Sequence, residues 1–155
     1  MRARDYFEWL RADVIELAEM EDRVASMRES ASSPKAQGQG PSSGGAASQS
    51  TQPIADRLID EERALDVRKS HLTGELRRAT NVLYGRSGRG GVAKACGTAG
   101  ADAVCGYYLY GMSWPEVAEE LLMPDSRDGA HWCRNRANAA LRHIDAVGMA
   151  RLSDS

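Results

Sequence analysis

The sequence predicts an all-α fold on three observations. Apolar residues recur at three- and four-residue steps over long stretches, no stretch alternates Val, Ile and Thr as a half-buried strand would, and helix formers dominate, with a single Phe among 155 residues. The expected architecture is an N-terminal antiparallel helical pair or coiled coil joined to a C-terminal helix-turn-helix of three helices. The length suffices for one modest core, or for a small domain with an appended element.

Residues 1–29 form the first expected element, an amphipathic helix. Leu10, Val14, Leu17, Met20, Val24 and Met27 make its stripe, and Tyr6, Phe7 and Trp9 thicken the start. Residues 30–53 are nearly all Ser, Gly, Gln, Ala and Pro with Lys35 the only charge, a composition that buries too little apolar surface to offset the entropy of ordering. A disordered linker is expected there, spanning on the order of 25–30 Å. A second long helix follows over 54–84, with Leu58, Leu65, Leu72 and Ala79 on a seven-residue repeat and Leu76 and Leu83 extending it. An antiparallel return of this helix needs only a gap of about 10 Å, against roughly 39 Å for a parallel one. Pairing between chains is the rival arrangement.

Residues 85–100 are a Gly-rich connection. It resembles a phosphate-binding loop only in composition: no Gly-Lys-Ser/Thr follows and no strand precedes it, so neither nucleotide nor other cofactor is expected. Leu76 to Ala101 holds Arg77, Arg78, Arg86, Arg89 and Lys94 and no acid, a local patch suited to a phosphate backbone. Cys96, Cys105 and Cys133, an odd count without a CxxC pair, read as small reduced thiols. Even with His131 their spacing matches no zinc pattern, so no metal site is expected.

The functional signal lies in residues 101–150. Val104, Cys105, Tyr107, Tyr108 and Leu109 make a short apolar helix ending at Tyr110-Gly111. Ser113-Trp114-Pro115-Glu116 then fits a capping box that starts a second helix, with Val117, Ala118, Leu121 and Leu122 turned inward. After a break at 123–129, a third helix carries Cys133, Ala137, Ala140, Ile144 and Val147 inward, with Leu141 flanking. His131, Arg134, Asn135, Asn138 and Arg142 face outward. Arg suits guanine and Asn suits adenine, so these five are the expected base contacts; Arg86, Arg89, Lys94, Arg127 and Arg136 are the expected backbone contacts. The scaffold of the helix-turn-helix would be Gly111, Ser113, Trp114, Val117, Ala118 and Leu121.

The run Tyr107-Tyr108-Leu109-Tyr110-Gly111-Met112-Ser113-Trp114-Pro115-Glu116-Val117-Ala118-Glu119-Glu120-Leu121 resembles the signature of region 4 of bacterial sigma factors. It is most similar to the small phage and prophage regulators built on that region, the ArpU and RinA-like late-gene activators. Ala140-Leu141-Arg142-His143-Ile144 resembles their closing Ala-Leu-x-x-Leu. The resemblance covers the last third of the chain. It departs at the turn before the third helix, where Asp128-Gly129 follow Ser126-Arg127. It implies a sequence-specific, DNA-binding transcriptional regulator that puts its third C-terminal helix in the major groove. Double-stranded DNA is the partner so implied, with RNA polymerase and a second copy of the chain as candidates beside it.

Charge and composition bound the alternatives. A net charge of −2 excludes a bulk polycation but not a local basic patch. The charged N-terminus is no signal peptide and no apolar run could span a bilayer, so a cytoplasmic place in a bacterial cell and no membrane partner are expected. His71, His131 and His143 lack neighbours that would make a catalytic site, so no enzyme is expected. Two alternatives stay open: a small-terminase-like DNA-packaging protein that assembles into a ring, and a helical protein-interaction module that binds no DNA.

Overall fold

The computed structural model describes residues 1–32, 44–122 and 126–155, and over those residues the chain is helical with no strand. The helices are α1 (Ala3–Ser32), α2 (Gly44–Tyr84), α3 (Gly91–Cys96), α4 (Thr98–Val104), α5 (Trp114–Glu120), α6 (Ser126–Val147) and α7 (Met149–Ser153). A π-helical turn, Cys105–Leu109, continues α4. The helical backbone reaches Ser32 and resumes at Gly44, so residues 30–32 and 44–53, assigned by composition to the linker, lie in α1 and α2. Extending an existing helix needs no new nucleus, which offsets the poor helix propensity of the Ser, Gly and Thr residues in these turns. The middle of the expected linker, 33–43, lies outside the described residues.

The chain divides into two compact units, residues 1–15 with 72–155, and residues 16–71. In the second unit Val24 and Leu65 are buried and the other apolar side chains of the stripe are partly exposed. Ion pairs join Glu16 to Arg68 at 2.6 Å, Glu21 to Lys69 at 2.9 Å and Arg28 to Glu62 at 2.7 Å. The α2 partner of Arg28 precedes those of Glu16 and Glu21, which is the order of an antiparallel pair. These pairs are exposed, so each contributes little to stability.

The first unit holds the larger core, and it is wider than the 101–150 boundary read from the sequence. Ala3, Tyr6, Phe7 and Leu10 of α1 and Leu72, Ala79, Val82 and Leu83 of α2 are buried in it. They join Val92, Ala101, Ala103, Val104, Tyr108, Leu109, Val117, Ala118, Cys133, Ala137, Ala140, Leu141 and Ile144. Leu141, expected at the flank of the third C-terminal helix, is inside, and Val147 is half-buried. The Gly-rich stretch is not an open connection. Gly85, Gly88 and Gly91 take φ of +74°, +73° and +63°, and the chain enters α3 directly. Gly91 lies so close to the end of α2 that an added Cβ would sit 2.6 Å from the Val82 carbonyl oxygen. The Gly91 N–H donates to Ser155 Oγ at 2.7 Å, and that hydroxyl donates to the Leu152 carbonyl at 2.7 Å. These glycines permit close backbone packing. At the other end of the stretch, the Tyr84 hydroxyl donates to Asp102 Oδ1 at 2.5 Å and ties α2 to α4.

Candidate nucleic-acid interface

The joint between the π-helical turn and α5 follows from local chemistry. The turn closes with Tyr110 N–H donating to the Cys105 carbonyl at 3.1 Å, and Gly111 then takes φ +70°. Ser113 is extended and caps α5: its Oγ accepts the Glu116 N–H at 3.4 Å, and Glu116 Oε2 accepts the Ser113 N–H at 2.7 Å. The Ser113 N–H, and after it the Ser113 hydroxyl, lower the pKa of the Glu116 carboxyl. Val117 and Ala118 of α5 are buried, Leu121 is half-buried, and Gly106 lies 3.1 Å, measured from an ideal Cβ, from Val117. Leu122, expected inward, is exposed instead: α5 ends at Glu120, and Leu122 lies past it at φ +56°. Trp114 stacks on Tyr107 with parallel rings 4.0 Å apart. A capped short helix is thereby held against the turn before it.

Along α6 the buried row is Cys133, Ala137, Ala140, Leu141 and Ile144. At 100° per residue, His131, Asn135 and Arg142 project directly away from that row, and all three are exposed. Arg134, Asn138 and Asp145 lie on one flank. That flank meets the start of α1: the Ala3 N–H donates to Asp145 Oδ1 at 2.7 Å, and Arg4 Nη2 donates to Asn138 Oδ1 at 2.8 Å. Of the five expected base contacts, four are exposed. Asn138 is instead half-buried and already holds a side-chain partner.

The expected backbone contacts are scattered. Arg89 and Lys94 are exposed on the Gly-rich turn and α3. Arg86 pairs with Asp154 at 3.1 Å, and the Arg136 guanidinium lies 5.0 Å over the Trp132 ring. The Arg127 side chain lies outside those described. Cys133 is buried and Cys96 and Cys105 are half-buried; desolvation raises the Cys133 and Cys105 thiols above their ordinary pKa.

Two residues that sequence reasoning did not single out shape this surface. Arg4 lies beside Arg134 and Asn138 in a groove also lined by Glu8 and Tyr108. Arg11 donates to the carbonyls of Tyr107 and, at 2.9 Å, Met112, which the end of the π-helical turn would otherwise leave without a donor. The available signal was the apolar set Ala3, Tyr6, Phe7 and Leu10. It is broader and more aromatic than a coiled-coil seam, and it marks a stripe facing a globular core. Comparison with protein-family models, with curated proteins and with solved structures finds no match to this chain. Among the described residues no helix is long and apolar enough to cross a membrane.

Proposed function

We propose that this chain is a sequence-specific DNA-binding transcriptional regulator of phage or prophage type, similar to sigma region 4, with α4, α5 and α6 as its helix-turn-helix. In this reading α6 enters the major groove and α5 crosses the phosphate backbone. The observation that carries it is the joint at Gly111 and Ser113–Glu116. A left-handed glycine and a reciprocal cap fix a short helix against α6, and the outward side of α6 bears His131, Arg134, Asn135 and Arg142. A short capped helix packed on a longer one with a donor-rich outer face is what base readout needs.

Electrostatics limits what this part can do by itself. From Thr98 onward eight acids oppose five Lys and Arg residues, so phosphate neutralisation there is weak. The exposed Arg77, Arg89 and Lys94 add positive charge in the same unit. RNA polymerase, or a second chain held through the N-terminal helices, would supply the remaining affinity. Selection of bound duplexes from a random pool tests the reading. One enriched motif is expected, and no binding to any duplex, even with RNA polymerase present, sinks it in favour of a helical interaction module.

A further inference from the structure

The contact between Arg4 and Asn138 fixes more than the position of α1. A guanidinium has donors and no acceptor, so Asn138 can meet Arg4 only through its carbonyl oxygen, Oδ1, at 2.8 Å. The amide orientation is thereby set, with Oδ1 toward Arg4 and the Nδ2 amino group, which carries only donors, left for the surface. Arg134, the next outward residue along this flank, also presents donors alone. Bidentate readout of adenine needs an acceptor for N6–H and a donor for N7 from one amide. Here an adenine amino group approaching Oδ1 would face the Arg4 cation. The O6 and N7 atoms of guanine, or a phosphate oxygen, would meet only donors.

We propose that the patch formed by Arg4 of α1 with Arg134 and Asn138 of α6 engages DNA as a donor-only surface, selective for hydrogen-bond acceptors, with Arg4 as the positioning residue that removes adenine readout from Asn138. This rests on the DNA-binding reading above and deepens it. Three features support it. The first turn of α1 is a fixed part of the unit: Ala3, Tyr6, Phe7 and Leu10 are buried and the Ala3 N–H is held by Asp145. Arg4 itself is exposed, as is Arg134. Arg11, the third cation lining the groove, is turned onto the Tyr107 and Met112 carbonyls, which leaves Arg4 and Arg134 to face outward against the single acid Glu8.

The experiment is pool selection followed by titration of wild type, Asn138→Ala, Arg4→Met and Arg4→Lys against selected and scrambled duplexes at two salt concentrations. If the acceptor is a base edge, wild type prefers guanine at one position and Asn138→Ala erases that preference with about a tenfold loss of affinity. Arg4→Met shifts the same position toward adenine, because Oδ1 is released, while Arg4→Lys, which keeps a donor, retains guanine. If the acceptor is a phosphate, Asn138→Ala and Arg4→Met weaken both duplexes alike, and Arg4→Met, which removes a cation, also flattens the salt dependence. Adenine in wild type at the position that Asn138→Ala erases would overturn the inference. So would wild-type binding by both variants, with the DNA-binding reading left standing. A wild-type protein that binds no duplex removes both. Thermal melting of Arg4→Met and Arg4→Lys checks that the unit remains folded.

Discussion

Tyr107 and Trp114 lie face to face, 4.0 Å apart and 4° from parallel, and the Arg11 guanidinium sits 3.8 Å from the centre of the Tyr107 ring. Both cannot occupy one face of the ring at those distances, so Tyr107 is sandwiched. One stack therefore joins α1, the π-helical turn and the first residue of α5. A tyrosine within the π-helical turn packs on the tryptophan that opens α5, and its other face carries a cation from nearly a hundred residues earlier in the chain.

Arg11→Met is expected to destabilise the protein by about 2 kcal/mol, since it removes a cation–π contact and leaves two part-buried carbonyls without their donor. Chemical denaturation measures this. A loss under about 0.5 kcal/mol, the range of ordinary surface substitutions, would show that the stack holds nothing in place.

Gly111→Val should cost about 1–2 kcal/mol or more, and the cost comes from the backbone. An added Cβ would meet Val14 and Ile15 at 3.6 and 3.7 Å, ordinary contact distances, but at φ +70° a β-branched residue is strained. Gly111→Asn, which tolerates that region, should be clearly milder. Equal losses for the two variants in thermal unfolding would contradict a conformational origin.

Gly91 and Gly88 make a sharper pair, because both have positive φ while only one is crowded. A Cβ on Gly91 would lie 2.6–2.7 Å from backbone atoms of Val82, Leu83 and Gly85, whereas a Cβ on Gly88 meets nothing within 4 Å. Gly88→Ala should therefore cost about 1 kcal/mol. Gly91→Ala should prevent α3 from docking on the end of α2, read as loss of the folding transition or a cost several times larger. Similar melting temperatures for the two would mean that the close approach is not maintained in solution.

The same glycines mark what the sequence could and could not reveal. The helical class, the capping box at Ser113 and Glu116, and the turn at Gly111 are local features, carried by periodicity and by residues within a few positions of each other. The buried row of α6 was legible for the same reason. The docking of the N-terminal turn on α6 was not, since Arg4 and Asn138 are 134 positions apart and nothing in either neighbourhood specifies the other. Asn138, expected among the base contacts because Asn suits adenine, has its carbonyl held by Arg4. The Gly-rich run was ambiguous because composition does not distinguish a loop from a close backbone crossing.

The cap carries a pH signature. Glu116 accepts the Ser113 N–H, and its pKa is lowered from an ordinary 4.5 by that bond and by the Ser113 hydroxyl. A carboxyl depressed in the folded state contributes stability above its unfolded pKa and loses it as pH falls through the folded one. The stability gap between wild type and Glu116→Ala should be constant from neutrality down toward 4.5 and should close on further acidification. Urea titrations at successive pH values read this directly. A gap that widens in acid would reverse the assigned sign.

Arg134 and Arg89 separate readout from attraction. Both are exposed, so alanine at either should change folding stability by less than about 0.5 kcal/mol. Arg134 lies on the outward flank of α6, where a bidentate contact to a base edge would be worth about 1–3 kcal/mol on the selected site and little on a scrambled one. Arg89 lies on the Gly-rich turn and forms no ion pair among the described residues. Its replacement should weaken all duplexes alike and lower the salt slope by about one counterion. Titrating both variants against selected and scrambled duplexes at two salt concentrations distinguishes these outcomes. Equal losses on the two duplexes for Arg134→Ala would make it a backbone contact, and would leave His131, Asn135, Asn138 and Arg142 as the residues of α6 able to read sequence.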